Sequence, residues 1–424
     1  QWTSNLDLSR KLSAIAELAV GAEYRRDSYE LSAGDEASRY KAGSQSFPGF
    51  SLTDAGRHSR NNVAGYVDLN LTPRPGFTID VAGRYEHYSD FGDTLVGKVS
   101  ARQEVSPAFA LRATASTGFR APTLAESYYS ATNVQPNSAY VQLPPNAAAA
   151  SLIGIEPLSP EHSRNFSAGI VFKPAPRVSL TVDAYQITVD DRVVGSGTLY
   201  GTYAGVVRSQ AVNAAIVANG NVLENVPFSG INVFSNGIDT RTRGVDVAFN
   251  FATPLAQLGR IEWSLLGNYS QTKVTHIRDT PAQLAASGQS LFDPVAISTI
   301  ESATPRFKAI LAGLYKAGRW SIAGKERFFG NAWNYQDPGD GNFYVDRTGP
   351  AFITDVDIAY SVTKGVALAI GANNLFDKRP NRVNAAGLAV QGAAGSPAVE
   401  IYPKFTPYGN NGGYYYAEAR LNFR

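Results

Sequence analysis

Residues 77–86 read FTIDVAGRYE. Phe77, Ile79, Val81, Gly83 and Tyr85 alternate with Thr78, Asp80, Ala82, Arg84 and Glu86, the period of a strand with one apolar and one polar face. The pattern recurs in both directions along the chain. Leu18, Val20, Ala22 and Tyr24 stand against Glu17, Glu23 and Arg25, and Phe109, Leu111, Ala113 and Ala115 against Arg112, Thr114 and Ser116. Val245, Val247, Phe249 and Phe251 face away from Asp246 and Asn250, and Ile261, Trp263, Leu265 and Tyr269 from Glu262, Ser264 and Asn268. Val356, Ile358, Tyr360 and Val362 oppose Asp355, Asp357 and Ser361, and the last segment sets Tyr415, Ala417, Ala419, Leu421 and Phe423 against Tyr416, Glu418, Arg420 and Asn422.

About fifteen such segments can be counted, many of them about ten residues long. Strands of a soluble sandwich usually run about 5–6 residues, whereas about 9–11 tilted residues cross a bilayer. Full charges on most polar faces suit a hydrated lumen. The pattern predicts an all-β fold, a transmembrane antiparallel up-and-down β-barrel.

The connections supply a second, independent sign. Short ones at 9–14, 72–76, 105–109, 173–178, 253–259, 316–320 and 362–366 alternate with connections around 33–57, 89–94, 120–162, 192–236, 277–304, 334–350 and 378–412. Only 89–94 in the second set is short. Outer-membrane barrels have short periplasmic turns and long extracellular loops, so the phase places the last strand's end on the periplasmic side. Single-chain bacterial barrels have even strand numbers, and an open sheet edge cannot sit in lipid. The odd count therefore predicts further strands upstream of Gln1, with residues 1–424 the C-terminal portion of the barrel, and the mid-pattern start QWTSNLDLSRKL with no methionine predicts a fragment or trimmed product.

Composition narrows the function classes. A net charge of +2 without a basic stripe argues against a nucleic-acid partner. With no cysteine, the chain offers no disulfide, thiolate metal site or Cys nucleophile. No apolar run reaches the roughly 20 residues of a membrane helix. Charged residues make up only 17%, while glycine, at 39 residues, and aromatics, at 11%, run high.

Four stretches carry a family resemblance. ASTGFRAPTLAESYY (115–129) leads from a strand into a long loop, and LSPEHSRNFSAG (158–169) brings the chain back. GANNLFDKRP (371–380) closes the penultimate strand, and PYGNNGGYYYAEARLNFR (407–424) reads as the last loop and strand. Together they resemble the C-terminal part of a TonB-dependent outer-membrane receptor. The motif positions are Gly118, Phe119, Arg120, Ala121, Pro122 and Thr123; Pro160 and Glu161; and Asn374, Leu375, Phe376 and Asp377. Two departures stand out: Ser167 where the family usually has Glu, and Arg424 following Phe423 where the family commonly ends on an aromatic residue.

The resemblance implies a barrel of roughly 22 strands closed around a plug. The first strand here would be roughly the eighth, and the N-terminal plug with its TonB-contacting box would be missing. It implies energy-dependent uptake of a scarce nutrient across the outer membrane, a ferric siderophore first, with cobalamin or an oligosaccharide as alternatives. The partners would be outer-membrane lipid, a small-molecule ligand such as an iron chelate, and the TonB protein acting through the missing plug. The fragment alone would not transport. The rival reading is a passive porin or structural barrel without a plug.

Candidate ligand contacts come from aromatic and basic residues near the loops. Aromatic faces give contact area at small entropic cost, which singles out Tyr128, Tyr129, Tyr140, Tyr200, Tyr203, Trp333 and Tyr335. The competing role for a residue beside a strand end, such as Trp333, is the headgroup-level girdle. Arg241 and Arg243 share one face and, lining the lumen, would draw an anionic ligand inward; simple lumen charge balance is the plainer role.

No catalytic or metal set is expected. His58, His87, His162 and His276 are scattered without metal-ligand spacing, and no Ser–His pair shares a strand face. Asp355 and Asp357 project to one side, as an acid/base pair would, but charges are ordinary on a lumen wall. The Asp-rich stretch 337–349 lacks the ligand spacing of an EF-hand. No enzyme activity and no cofactor are expected.

Overall fold

The computed structural model describes residues 1–39, 49–135, 138–223, 226–338, 340–393 and 401–421. Phe423 and Arg424, the residues of the second family departure, lie outside them. Fifteen strands form the wall: β1 (Trp2–Lys11), β2 (Ala16–Leu31), β3 (Gly56–Arg74), β4 (Phe77–Tyr88), β5 (Gly92–Ser106), β6 (Phe109–Arg120), β7 (Glu161–Ala175), β8 (Val178–Gly195), β9 (Phe228–Pro254), β10 (Arg260–Ile277), β11 (Phe307–Ala317), β12 (Trp320–Phe329), β13 (Ala351–Ser361), β14 (Val366–Asn373) and β15 (Tyr414–Leu421). Each pairs antiparallel with its sequence neighbours. Among the described residues β1 pairs only with β2 and β15 only with β14, so the wall is an open arc with two free edges.

The two faces of this wall invert the usual distribution. Exposed on the outside are Leu6, Val67, Val81, Leu111, Phe172, Leu265, Leu311, Ile370 and many like them, an apolar band that fits lipid. The other face carries ion pairs along and across the strands. Arg84 reaches Glu86 at 2.6 Å and Glu23 at 3.3 Å, Lys98 meets Asp80 at 2.6 Å, and Arg112 donates to Asp183 across the β6–β7–β8 row. Period-two alternation forces this division, because a slip of one residue would turn every charge into the membrane.

Short turns and long loops keep their expected phase. The turns cover 12–15, 75–76, 107–108, 176–177, 255–259, 318–319 and 362–365; the opposite connections are all far longer except 89–91. Gly76 closes its two-residue turn at φ +76°, and a Cβ there would stand 3.1 Å from the Cβ of Glu104. A non-glycine side chain is strained at such a φ.

The long connections are not irregular, which the sequence reading does not anticipate. The first part of β9 rises out of the wall. There Phe228–Val233 pairs in parallel with Ser138–Leu143, and Leu199–Tyr203 pairs antiparallel to it. Helices at Gln210–Ala218 and Pro294–Glu301 pack alongside. Leu143, Ile153, Leu199, Ile216, Ile231, Val233, Ile238 and Leu284 are completely enclosed there, within the largest hydrophobic cluster of the described residues. Among the described residues the main hydrophobic cluster therefore lies in the loops rather than in the wall.

Candidate ligand vestibule at the loop rim

Strand β6 ends at Arg120, and this side chain fastens the loop exit to the loop return. Its guanidinium donates to both carboxylate oxygens of Glu161 on β7 at 2.6 and 3.0 Å, and to both of Glu126 at 2.8 and 3.0 Å. Glu126 sits in the short helix Leu124–Tyr128, where Thr123 and Glu126 cap each other reciprocally. Burial opposes the charged form of Glu126, but Arg120 and the Thr123 N–H and hydroxyl outweigh it, holding the carboxyl below its usual range. Glu161 also accepts the Val193 N–H at 2.8 Å, and the Pro122 carbonyl accepts a hydrogen bond from Arg60. Pro122 ends the ladder because it has no N–H to give.

A second clasp closes the far end of the wall. Asn374, at φ +54°, donates its N–H to Asp355 at 2.9 Å, while its side chain exchanges hydrogen bonds with the backbone of Lys378. The Leu375 carbonyl accepts from the Tyr415 hydroxyl at 2.9 Å, and Asp377 accepts the Gly413 N–H at 2.8 Å. Phe376 is 75% exposed and makes no such bond. Asp355 is held by Lys325 and Arg327 at 3.0 and 2.9 Å, and Asp357 by Arg420 and Tyr416. Both carboxylates are thus committed to neighbouring cations.

The aromatic candidates fall into three separate groups. Tyr200 and Tyr203 pack edge-on at 5.3 Å, and Tyr203 packs on Phe228 at the same distance. Burial raises the Tyr200 hydroxyl well above its usual value, and the Asp337 carboxylate adds to the shift at Tyr140, Tyr200 and Tyr203. Gly230 pairs with both Tyr140 and Tyr200, so the loops 121–160 and 196–227 meet in one patch, within reach of the Asp337 charge of 330–350. Gln289 of a fourth loop grips the Tyr200 backbone with two hydrogen bonds. Tyr128 stacks on His58 at 3.7 Å beside a cavity of about 190 Å³, and Tyr129 meets Phe50. Buried Asp54 ties that loop to Ser130 and Thr132. Trp333 and Tyr335 touch each other at 5.4 Å, and Trp333 shares a cavity with Phe307 and Phe328 on the outer face.

Arg241 and Arg243 share a face as expected, but it is the outer one. Asp246 pairs with Asp183 and Asn268 on the lumen side, and the register runs without a break from there to Thr240. Odd-numbered residues of this segment therefore project outward with Val245. The alternation itself carries this signal, since Val245, Val247 and Phe249 continue directly into Arg243 and Arg241.

The family model described as "TonB dependent receptor-like, beta-barrel" matches residues 1–375. The chain belongs to this family of TonB-dependent receptor β-barrels. Such barrels reside in the bacterial outer membrane, and the family is one of receptors rather than enzymes. Three solved structures share the receptor fold. They are the siderophore receptor PirA from Acinetobacter baumannii (14% identity, TM-score 0.63), the ferric enterobactin receptor PfeA from Pseudomonas aeruginosa (16%, 0.63), and FpvA of P. aeruginosa bound to heterologous pyoverdines (13%, 0.60). Each alignment covers 99% of this chain and 54%, 53% and 48% of those proteins respectively, so the chain spans about half their length. No curated protein sequence matches the chain. Within this receptor barrel the Gly118–Thr123 and Asn374–Asp377 motifs lie in the two clasps, one at the β6–β7 loop and one at the β14–β15 loop. Among the described residues no group of three or more His, Asp or Glu side chains forms a metal site.

Proposed function

We infer that this chain is the C-terminal wall and loop platform of an outer-membrane receptor that takes up a scarce nutrient with energy delivered through TonB, a ferric siderophore being the favoured cargo. The observation that carries this reading is the meeting of loops 121–160 and 196–227 in one aromatic patch at the rim of a charge-lined wall. Aromatic faces at Tyr140, Tyr200 and Tyr203 offer stacking area to a planar chelate or a sugar. Tyr128, Tyr129 and Tyr335 extend that surface around the rim. The siderophore preference is supported by the solved receptors of the same fold. The free edges of β1 and β15 support closure by further strands into a barrel of roughly 22, since unpaired edges are not stable in lipid. That barrel would enclose the plug through which TonB acts.

Uptake of radiolabelled ferric chelates by a strain carrying the intact receptor as its sole transporter tests this. Uptake that vanishes when TonB is deleted, and falls at least tenfold in a Tyr200→Ala/Tyr203→Ala variant, is expected. Uptake independent of TonB would instead select the passive barrel. Accumulation of cobalamin or an oligosaccharide in place of a ferric chelate would overturn the siderophore assignment alone.

A further inference from the structure

The register that turns Arg241 and Arg243 outward also gathers them with other cations. Arg164 on β7 pairs with Thr188 on β8, Thr188 with Arg241 on β9, and Arg241 with Lys273 on β10, so these four positions form one row across the outer face. Arg243 lies one outward step below Arg241, hydrogen-bonded to Gln186 at 2.7 Å and paired with Gln271. Neighbouring strands stand about 4.8 Å apart, which sets Arg241 directly beside Lys273. Like charges in directly opposed positions repel. Arg164 has a partner in Asp190 at 2.9 Å, but among the described residues neither the Arg241 nor the Lys273 side chain makes any hydrogen bond or ion pair.

The height of this row is fixed by what lies under it. One outward step below Arg243 comes Val245, and one step below Gln271 comes Tyr269, which is 47% exposed. Tyr269 pairs with Phe307, and Phe307, Phe328 and Phe352 follow in contact at 5.7 and 4.8 Å. These rings form the upper aromatic girdle, the level at which headgroups begin. The cations thus stand among the outer-leaflet headgroups, one to two outward steps above the girdle.

We propose that Arg164, Arg241, Arg243 and Lys273 form a binding site on the outer wall for the phosphate groups of an outer-leaflet glycolipid. Phosphate supplies the charge that the Arg241–Lys273 pair lacks, and a guanidinium matches its oxygens in two-pronged fashion. The interleaved Thr188, Gln186 and Gln271 offer hydroxyl and amide groups to the sugar hydroxyls. The site is independent of the cargo, because it faces away from the lumen.

Native mass spectrometry on the intact receptor, delipidated in non-ionic detergent, tests the assignment. The probes are a bis-phosphorylated glucosamine glycolipid, its dephosphorylated form and inorganic phosphate. Arg241→Gln/Lys273→Gln is expected to weaken binding of the phosphorylated glycolipid at least tenfold. Lys364→Gln, which removes a charge from the exposed turn at 362–365, is expected to leave it unchanged. Arg241→Lys, which keeps the charge, is expected to retain most of the binding and guards against a folding defect. Equal binding by the double variant and the wild type would overturn the proposal, as would equal binding of the dephosphorylated lipid. Displacement by inorganic phosphate at equal concentration would make this a free-anion site and overturn the lipid assignment.

Discussion

Arg120 holds two carboxylates from different segments at once, and its removal strands both. A charge-assisted hydrogen bond contributes about 1.5–3 kcal/mol. Arg120→Ala should therefore destabilise the receptor by about 2 kcal/mol, read as a fall in the thermal midpoint in detergent. Thr123→Ala, which loses one helix cap, should cost about 1 kcal/mol. The pH dependence has a definite sign. The folded-state value of Glu126 is depressed, so its contribution is fully present above the unfolded value and is lost as pH falls through the folded one. Stability should begin to drop as pH falls below the ordinary glutamate value of about 4.3, and Glu126→Gln should flatten that part of the curve. The motif residues Gly118–Thr123 and Asn374–Asp377 are legible in the sequence as positions. Their distant partners are not: Arg60, Asp355 and Gly413 meet them only once strands and loops are folded together.

At the scale of elements, the loop platform is a separate unit of packing resting on the wall. Ile231→Ala deletes a fully enclosed side chain, a change that costs about 2–5 kcal/mol. Limited proteolysis should then cut within 121–160 and 196–227 while the wall stays intact, seen as an unchanged heat-modifiable gel band. Simultaneous loss of that band would show that platform and wall fold as one. The strands of the wall are readable because lipid and lumen impose period two on every one of them. The platform is not, because its strands are only five or six residues long and sit between glycines, prolines and small residues. The facing of Arg241 and Arg243 belongs here too. The alternation that sets Val245 outward extends upward through both arginines, yet their charge by itself suggests the lumen.

Below the girdle the wall is mostly apolar outside and charged inside, and substitution should respect that asymmetry. Leu265 faces lipid and its neighbour Ser264 faces the lumen, at the same depth. Arginine on a lipid face costs about 2–4 kcal/mol near the bilayer midplane. Leu265→Arg should lower the yield of receptor folded into lipid vesicles, whereas Ser264→Arg should leave it near wild type. Equal losses for both would refute this assignment of the two faces.

Strand β9 carries 27 residues without interruption from the platform down to the periplasmic turn. Its upper end belongs to the loop sheet and its lower end to the bilayer, so the two move together or not at all. The platform is therefore a fixed doorpost: to swing, it would have to tear β9 from β8 and β10. Amide exchange at Ile231–Ile238 should be as slow as at Val245–Phe249, and ligand should not change it. Movement that accompanies ligand binding is therefore expected in connections that share no strand with this jamb.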